Sequence, residues 1–107
     1  MVCAVQNMWR FSRDSPLTTC CRGTLSTQEK KNYISAVKCL MSKPAKTPSS
    51  LAPGVKNRFD DFVSVHINQT MEIHYTGNFL SWHRYFTWMY EKALQTECGY
   101  TGTQPVR

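Results

Sequence analysis

The chain lacks any apolar run approaching the roughly 18 residues of a membrane helix, so no membrane partner is expected. It also lacks a block of like charge. Thirteen basic residues against seven acidic ones give a net charge of +6, yet the basic positions are scattered from Arg10 to Arg107. A nucleic-acid surface needs them gathered on one face, whereas Lys30, Lys31 and Lys38 read as the solvated side of a helix. No nucleic-acid partner is expected. The longest apolar stretch at the N-terminus, Val2-Cys3-Ala4-Val5, is too short for the core of a secretory signal, so no export signal is expected in the chain as it stands. Cys-x-x-Cys spacing is missing, which argues against a cysteine zinc site. Histidine is scarce: there are three, and none precedes residue 66.

What is present describes a small folded unit. Hydrophobic residues make up 41% and charged residues 19%, a globular composition rather than a disordered one. A chain of 107 residues supports one small domain with proportionally little buried surface. Residues 1–22 contain Trp9 and Phe11 but no sustained period. Residues 25–42 predict a helix: Ser26 with Glu29 forms a capping box, Tyr33, Ile34, Val37, Leu40 and Met41 make one apolar face, and Pro44 stops it. Residues 43–55, with Pro44, Pro48, Pro53 and Gly54, read as a loop.

Five cysteines leave at least one unpaired within the chain. Cys20 and Cys21 are too close to bridge each other, since a trans peptide sets their Cα atoms about 3.8 Å apart, below the usual disulfide range. In an oxidising compartment Cys39 is expected to bridge to Cys20 or Cys21. Asn68-Gln69-Thr70 is a formal glycosylation sequon, but its place between two histidines favours a helix-end sequence over a used acceptor.

The three histidines, His66, His74 and His83, occur within eighteen residues. Neutral imidazole suits copper, zinc, iron and nickel. Phe59, Phe62, Val63 and His66 recur at helical spacing, so His66 faces inward on a helix near 58–70. A further helix, near 82–97, carries His83, Phe86, Tyr90 and Leu94 on one stripe and Trp82, Met89 and Ala93 on another. A helix apolar nearly all round calls for partners, and exposed faces of that kind favour self-association. Gly77 and Asn78 are turn residues, so His74 reads as a loop residue between the two helices. His66 and His83 are expected to face each other. A metal-bound histidine gives its other N–H to a carboxylate or carbonyl, and Asp60, Asp61 and Glu72 are the carboxylates at hand.

These residues resemble the first copper-binding half of the tyrosinase family, the short fungal kind. The likeness rests on Asp60-Asp61-Phe62-Val63, Val65-His66-Ile67-Asn68-Gln69-Thr70, Ile73-His74, Phe79-Leu80-Ser81-Trp82-His83-Arg84-Tyr85-Phe86, Glu91-Lys92-Ala93-Leu94 and Glu97-Cys98-Gly99-Tyr100-Thr101-Gly102. It extends upstream to about Leu25. The resemblance implies an all-α fold: an incomplete helical bundle of the tyrosinase type, with one helix pair of the dicopper bundle and an N-terminal scaffold helix. It divides the chain into a poorly assigned segment, 1–24, and the N-terminal half of a copper-binding domain, 25–107. It implies copper as cofactor, one ion per chain held by His66, His74 and His83, with a phenolic small molecule and O2 as partners. Phe79, Leu80, Trp82 and Phe86 would wall the site. Arg84 and Glu91, two helical turns apart, would form a structural ion pair.

Departures from the family limit what carries over. Some fungal members cross-link the second histidine to a cysteine two residues earlier; here that position is Glu72. The second copper site would need three more histidines, and every histidine in the chain is already assigned. In the family two copper(I) ions each give one electron to O2, and one ion alone cannot. The expectation is therefore a tyrosinase-like oxidoreductase segment holding one copper site. The alternatives are a copper- or oxygen-binding module completed by dimerisation, and a zinc-binding or structural helical protein.

Overall fold

The computed structural model describes residues 22–105. Readings that fall on 1–21, including Cys3, Cys20, Cys21, Trp9 and Phe11, lie outside the described residues. After a short 3-10 turn at Arg22–Thr24 come three helices: α1, Thr27–Ser42; α2, Arg58–His74; and α3, Phe79–Cys98. Among the described residues there is no strand, only a single antiparallel bridge between Pro44 and Asn57. The all-α expectation holds.

Each helix starts and stops for a local reason. Ser26 accepts the Glu29 N–H, and the Glu29 carboxylate accepts the Ser26 N–H, closing the capping box read from the sequence. α2 has the same device in Asn57 and Asp60. α3 ends on Gly99 at φ 65°, a left-handed position that glycine adopts without steric penalty. There the Gly99 N–H bonds to Gln95 O, the closure of an αL motif, and the Tyr100 N–H bonds to Leu94 O.

The three helices pack on one another pairwise. Their shared core is Ala36, Leu40, Ala93, Leu94 and Tyr100, flanked by Tyr33, Val37, Phe62, Tyr90 and Cys98. Leu40 and Leu94 are fully enclosed, each contributing roughly 1.5–3 kcal/mol of burial. The apolar face expected on α1 is only partly right. Ile34 and Met41 stay about half exposed, while Ala36, absent from that stripe, is buried. A small residue at 36 fits where the helices come close. The C-terminal end of α3 is buried, but Leu80, Tyr85 and Met89 are exposed, so α3 is not enclosed all round.

Two corrections concern boundaries. His74 is not a loop residue: α2 continues through it. Ile73, at 1% exposure, anchors this last turn. α3 begins at Phe79, so the connection is only residues 75–78. A connection that short forces α3 to run back along α2. The ring contacts show the reversal: Phe59 meets Tyr90, Phe62 meets Phe86, and His66 meets His83, stepping up α2 as they step back along α3.

A third correction concerns cysteine. Cys39 pairs with Cys98, not with Cys20 or Cys21, with Cα atoms 5.9 Å apart. The bridge ties the C-terminal ends of α1 and α3 and closes a loop of 59 residues, for which chain entropy predicts about 4 kcal/mol.

Loop and helices are clasped by charge. Asp61 is 4% exposed. Its carboxylate accepts the N–H of Lys46 at 2.8 Å, the N–H of Thr47 at 2.9 Å and Arg58 Nη1 at 3.0 Å. Arg58 Nε also reaches Glu97 Oε1 on α3 at 3.1 Å. Its guanidinium lies 4.6 Å over the Phe62 ring. Burial pushes Asp61 upward, but these donors outweigh it and bring its pKa from 3.8 down to about 2. The depressed value means that the stabilisation is present above pH 3.8 and is lost as pH falls toward 2. A shift of that size corresponds to about 2 kcal/mol. Asp61→Ala should cost roughly 3–5 kcal/mol, because the Lys46 and Thr47 N–H groups and Arg58 Nη1 all lose their acceptor. Denaturant titrations across this pH range should show an acid-induced loss in the wild type that is missing in Asp61→Asn.

Candidate metal centre

The reversal between α2 and α3 brings the three histidines together. His66 lies two turns before the end of α2, His74 ends that helix, and His83 sits in the first turns of α3. Their ring centroids are 5.0 Å (His66 and His74), 4.9 Å (His74 and His83) and 5.4 Å (His66 and His83) apart. One nitrogen from each ring falls within 4.8 Å of the others.

Two of the rings are oriented by backbone. His74 Nδ1 is 2.8 Å from Thr70 O, and His83 Nδ1 is 2.7 Å from Phe79 O. A carbonyl accepts only, so each Nδ1 carries the hydrogen and each Nε2 presents a lone pair. The partners are thus carbonyls four residues earlier on the same helix. Of the carboxylates expected in this role, Asp60 caps α2 and Asp61 gathers the loop, while Glu72 is exposed. Thr70 Oγ1 in turn donates to His66 O.

His66 Nε2 lies 3.3 Å from His83 Nε2. Two nitrogens bound to one ion at 2.0–2.1 Å stand roughly 3.3–3.6 Å apart in tetrahedral or trigonal geometry. The pair already has that spacing, and a His74 ring nitrogen lies within 4.8 Å of both. Burial, and then the neighbouring imidazoles His74 and His83, hold His66 below its ordinary pKa of 6.5. The neutral, ligating form is therefore favoured.

Aromatic rings frame the cluster. Phe79 lies 4.3 Å from His83 and 5.6 Å from His74. Trp82 stacks on Phe86 at 4.8 Å and 15°, and both touch His66 at 5.9 and 5.8 Å. Leu80, expected with them as a wall, is 64% exposed. The sequence reading missed Gln69, whose Oε1 accepts Trp82 Nε1–H at 2.8 Å and so pins the indole across the two helices. Its only signal was a position on α2 that meets α3. Glu91, paired with Arg84 in the sequence reading, accepts the N–H of Gln104 at 2.6 Å and holds the segment after α3.

The cluster offers three ring nitrogens at the mouth of a helix pair, an arrangement that can hold a late first-row metal ion. His83→Ala should lower metal affinity by more than the 10–100-fold typical of lost outer-shell partners (roughly). Ile34→Ala on α1, remote in sequence and exposed, should leave affinity unchanged. Competition with a calibrated chelator measures both.

Comparison with known proteins identifies the family. Residues 56–106 match the family described as the common central domain of tyrosinase. Tyrosinase P of Aspergillus terreus is 51% identical over 83 residues, covering 78% of this chain and 23% of the relative. The tyrosinase-like protein orsC of Emericella nidulans is 54% identical over 82 residues, covering 77% and 22%. A mutant polyphenol oxidase from Thermothelomyces thermophila is structurally similar, with a TM-score of 0.77 and 58% identity over 82% of this chain and 24% of that one. The chain thus spans under a quarter of the length of these relatives. From this agreement of helices, residues and relatives, the chain belongs to the tyrosinase family.

Proposed function

We propose that this chain is a copper-binding segment of a tyrosinase-type oxidoreductase acting on phenols or catechols with O2. One copper ion is held by His66, His74 and His83. The observation that carries this reading is the trio of ring nitrogens within 4.8 Å, two of them freed by backbone bonds to their opposite ring atoms. Bound copper would supply one-electron redox chemistry with O2.

The chain's own residues do the rest. The histidines fix the donor geometry. Phe79, Trp82 and Phe86 limit water at the rings, and Gln69 holds Trp82 in place. The family name and the names of the relatives support phenolic substrates. Three imidazoles suffice for one ion, whereas family chemistry needs two ions held roughly 3.5–4 Å apart. All three histidines of the 107 residues belong to this cluster, so a complete centre draws its other ligands from outside them. A second reading, completion by another copy of the chain, is favoured by the exposed apolar residues beside the cluster: Met71, Tyr75, Phe79 and Leu80.

Copper-loaded monomer should hold about one ion per chain and show no copper-dependent oxygen uptake with a catechol. Elemental analysis and an oxygen electrode test both points. Robust uptake by the monomer contradicts the reading. Uptake that rises with the square of protein concentration replaces it with completion by a second copy.

A further inference from the structure

His66 is held differently from the other two histidines. His74 and His83 are each oriented by a backbone carbonyl at Nδ1. His66 turns its Nε2 toward His83, and its Nδ1 has no hydrogen-bond partner among the described residues. Aromatic packing takes the place of that bond. Trp82 lies 5.9 Å from the His66 ring at 51°, and Phe86 lies 5.8 Å from it at 41°. Those two rings stack on each other at 4.8 Å and 15°, so they bear on His66 as one slab. Trp82 also touches His83, at 5.1 Å.

The slab is set from outside the cluster. An indole N–H can only donate, and that of Trp82 donates to Gln69 Oε1 at 2.8 Å. Gln69 stands on α2 three residues after His66, hence one turn on along the same face. Trp82 stands on α3 immediately before His83. The bond therefore crosses between the helices beside the two histidines whose Nε2 atoms are 3.3 Å apart. It lies at the opposite end of the helix pair from the bond between Arg58 and Glu97. Swinging the indole about its side-chain bonds would take its face off His66, and the Gln69 oxygen opposes that swing.

We propose that Gln69 is a positioning residue of the histidine cluster: through Trp82 it fixes the ring of His66 against His83. Metal affinity then depends on Gln69, although it supplies no ligand atom. This consequence rests on the metal reading given above, whereas the ring positions can be measured with no metal bound. Gln69 is exposed, so substituting it removes the hydrogen bond with little loss of packing.

The test combines a metal probe with a metal-free measurement on the full chain. Gln69→Met keeps the length of the side chain and removes the oxygen; Trp82→Phe keeps a ring and removes the N–H. Zinc(II) is the probe, because it binds imidazole without redox chemistry, and competition with a chelator reads its affinity. Gln69→Met should weaken zinc binding about 3–10-fold, the effect of one lost hydrogen bond. In a Trp82→Phe background the same substitution should change affinity by less than about twofold, since the bond is already gone. An equal loss in both backgrounds, or no loss in either, overturns the proposal. In metal-free protein, nuclear Overhauser contacts between the His66 ring and the Trp82 indole should weaken in Gln69→Met, and the Trp82 N–H should exchange faster with solvent. Contacts and exchange unchanged by Gln69→Met overturn the proposal whether or not metal binds. A wild type that binds no zinc, yet loses these contacts on substitution, upholds the positioning of His66 and counts against the metal reading alone.

Discussion

The buried carboxylate of Asp61 is the constraint on which the rest of this structure depends. A charge at 4% exposure persists only if its oxygens are satisfied. Here two loop N–H groups and Arg58 satisfy them. Arg58 then extends the clasp to Glu97 on α3, and Lys46 Nζ joins at 3.0 Å from the same carboxylate. Burial raises Glu97, but Lys46 and Arg58 outweigh it and hold it below its usual pKa. Four charged groups thus fix where α2 begins and how it lies on α3. That register sets Phe62 against Phe86 and His66 against His83. The histidine cluster at one end of the helix pair is positioned by electrostatics at the other.

Between those ends the aromatic layer has two roles. It supplies the packing by which α2 and α3 meet, through edge-on contacts of 5.3–6.1 Å among Phe59, Phe62, Phe86 and Tyr90. It also encloses one side of the imidazole cluster through Trp82 and Phe86. The disulfide between Cys39 and Cys98 secures α1 to the far end of α3. The scaffold helix is therefore covalently tied to the helix that carries His83.

Much of this was legible in the sequence where the signal is local. Ser26 with Glu29 and the following Pro44 defined α1, because caps and breakers act within a few residues. The three histidines and the inward stripe through Phe59, Phe62 and His66 defined the site. The failures have a common physical origin in contacts between distant segments. Asp61 read as a partner for histidine because nothing local shows that residues 46 and 47 fold back onto it. Cys39 was assigned to Cys20 or Cys21, while its partner Cys98 is set by the packing of α1 on α3. Gly77 and Asn78 drew the expected turn too early, although Ile73 finds burial and carries α2 on through His74. Ile34 and Met41 fitted the apolar period of α1, yet the helix that covers α1 meets it at Ala36 and Leu40.

The central claim is that His66, His74 and His83 together form one copper site. X-ray absorption at the copper edge of the loaded chain tests it most directly. The account predicts nitrogen neighbours only, at about 2.0 Å, with the outer-shell scattering of three imidazoles that falls to two in His74→Ala. A sulfur neighbour at about 2.3 Å, or a spectrum unchanged by His74→Ala, would contradict it.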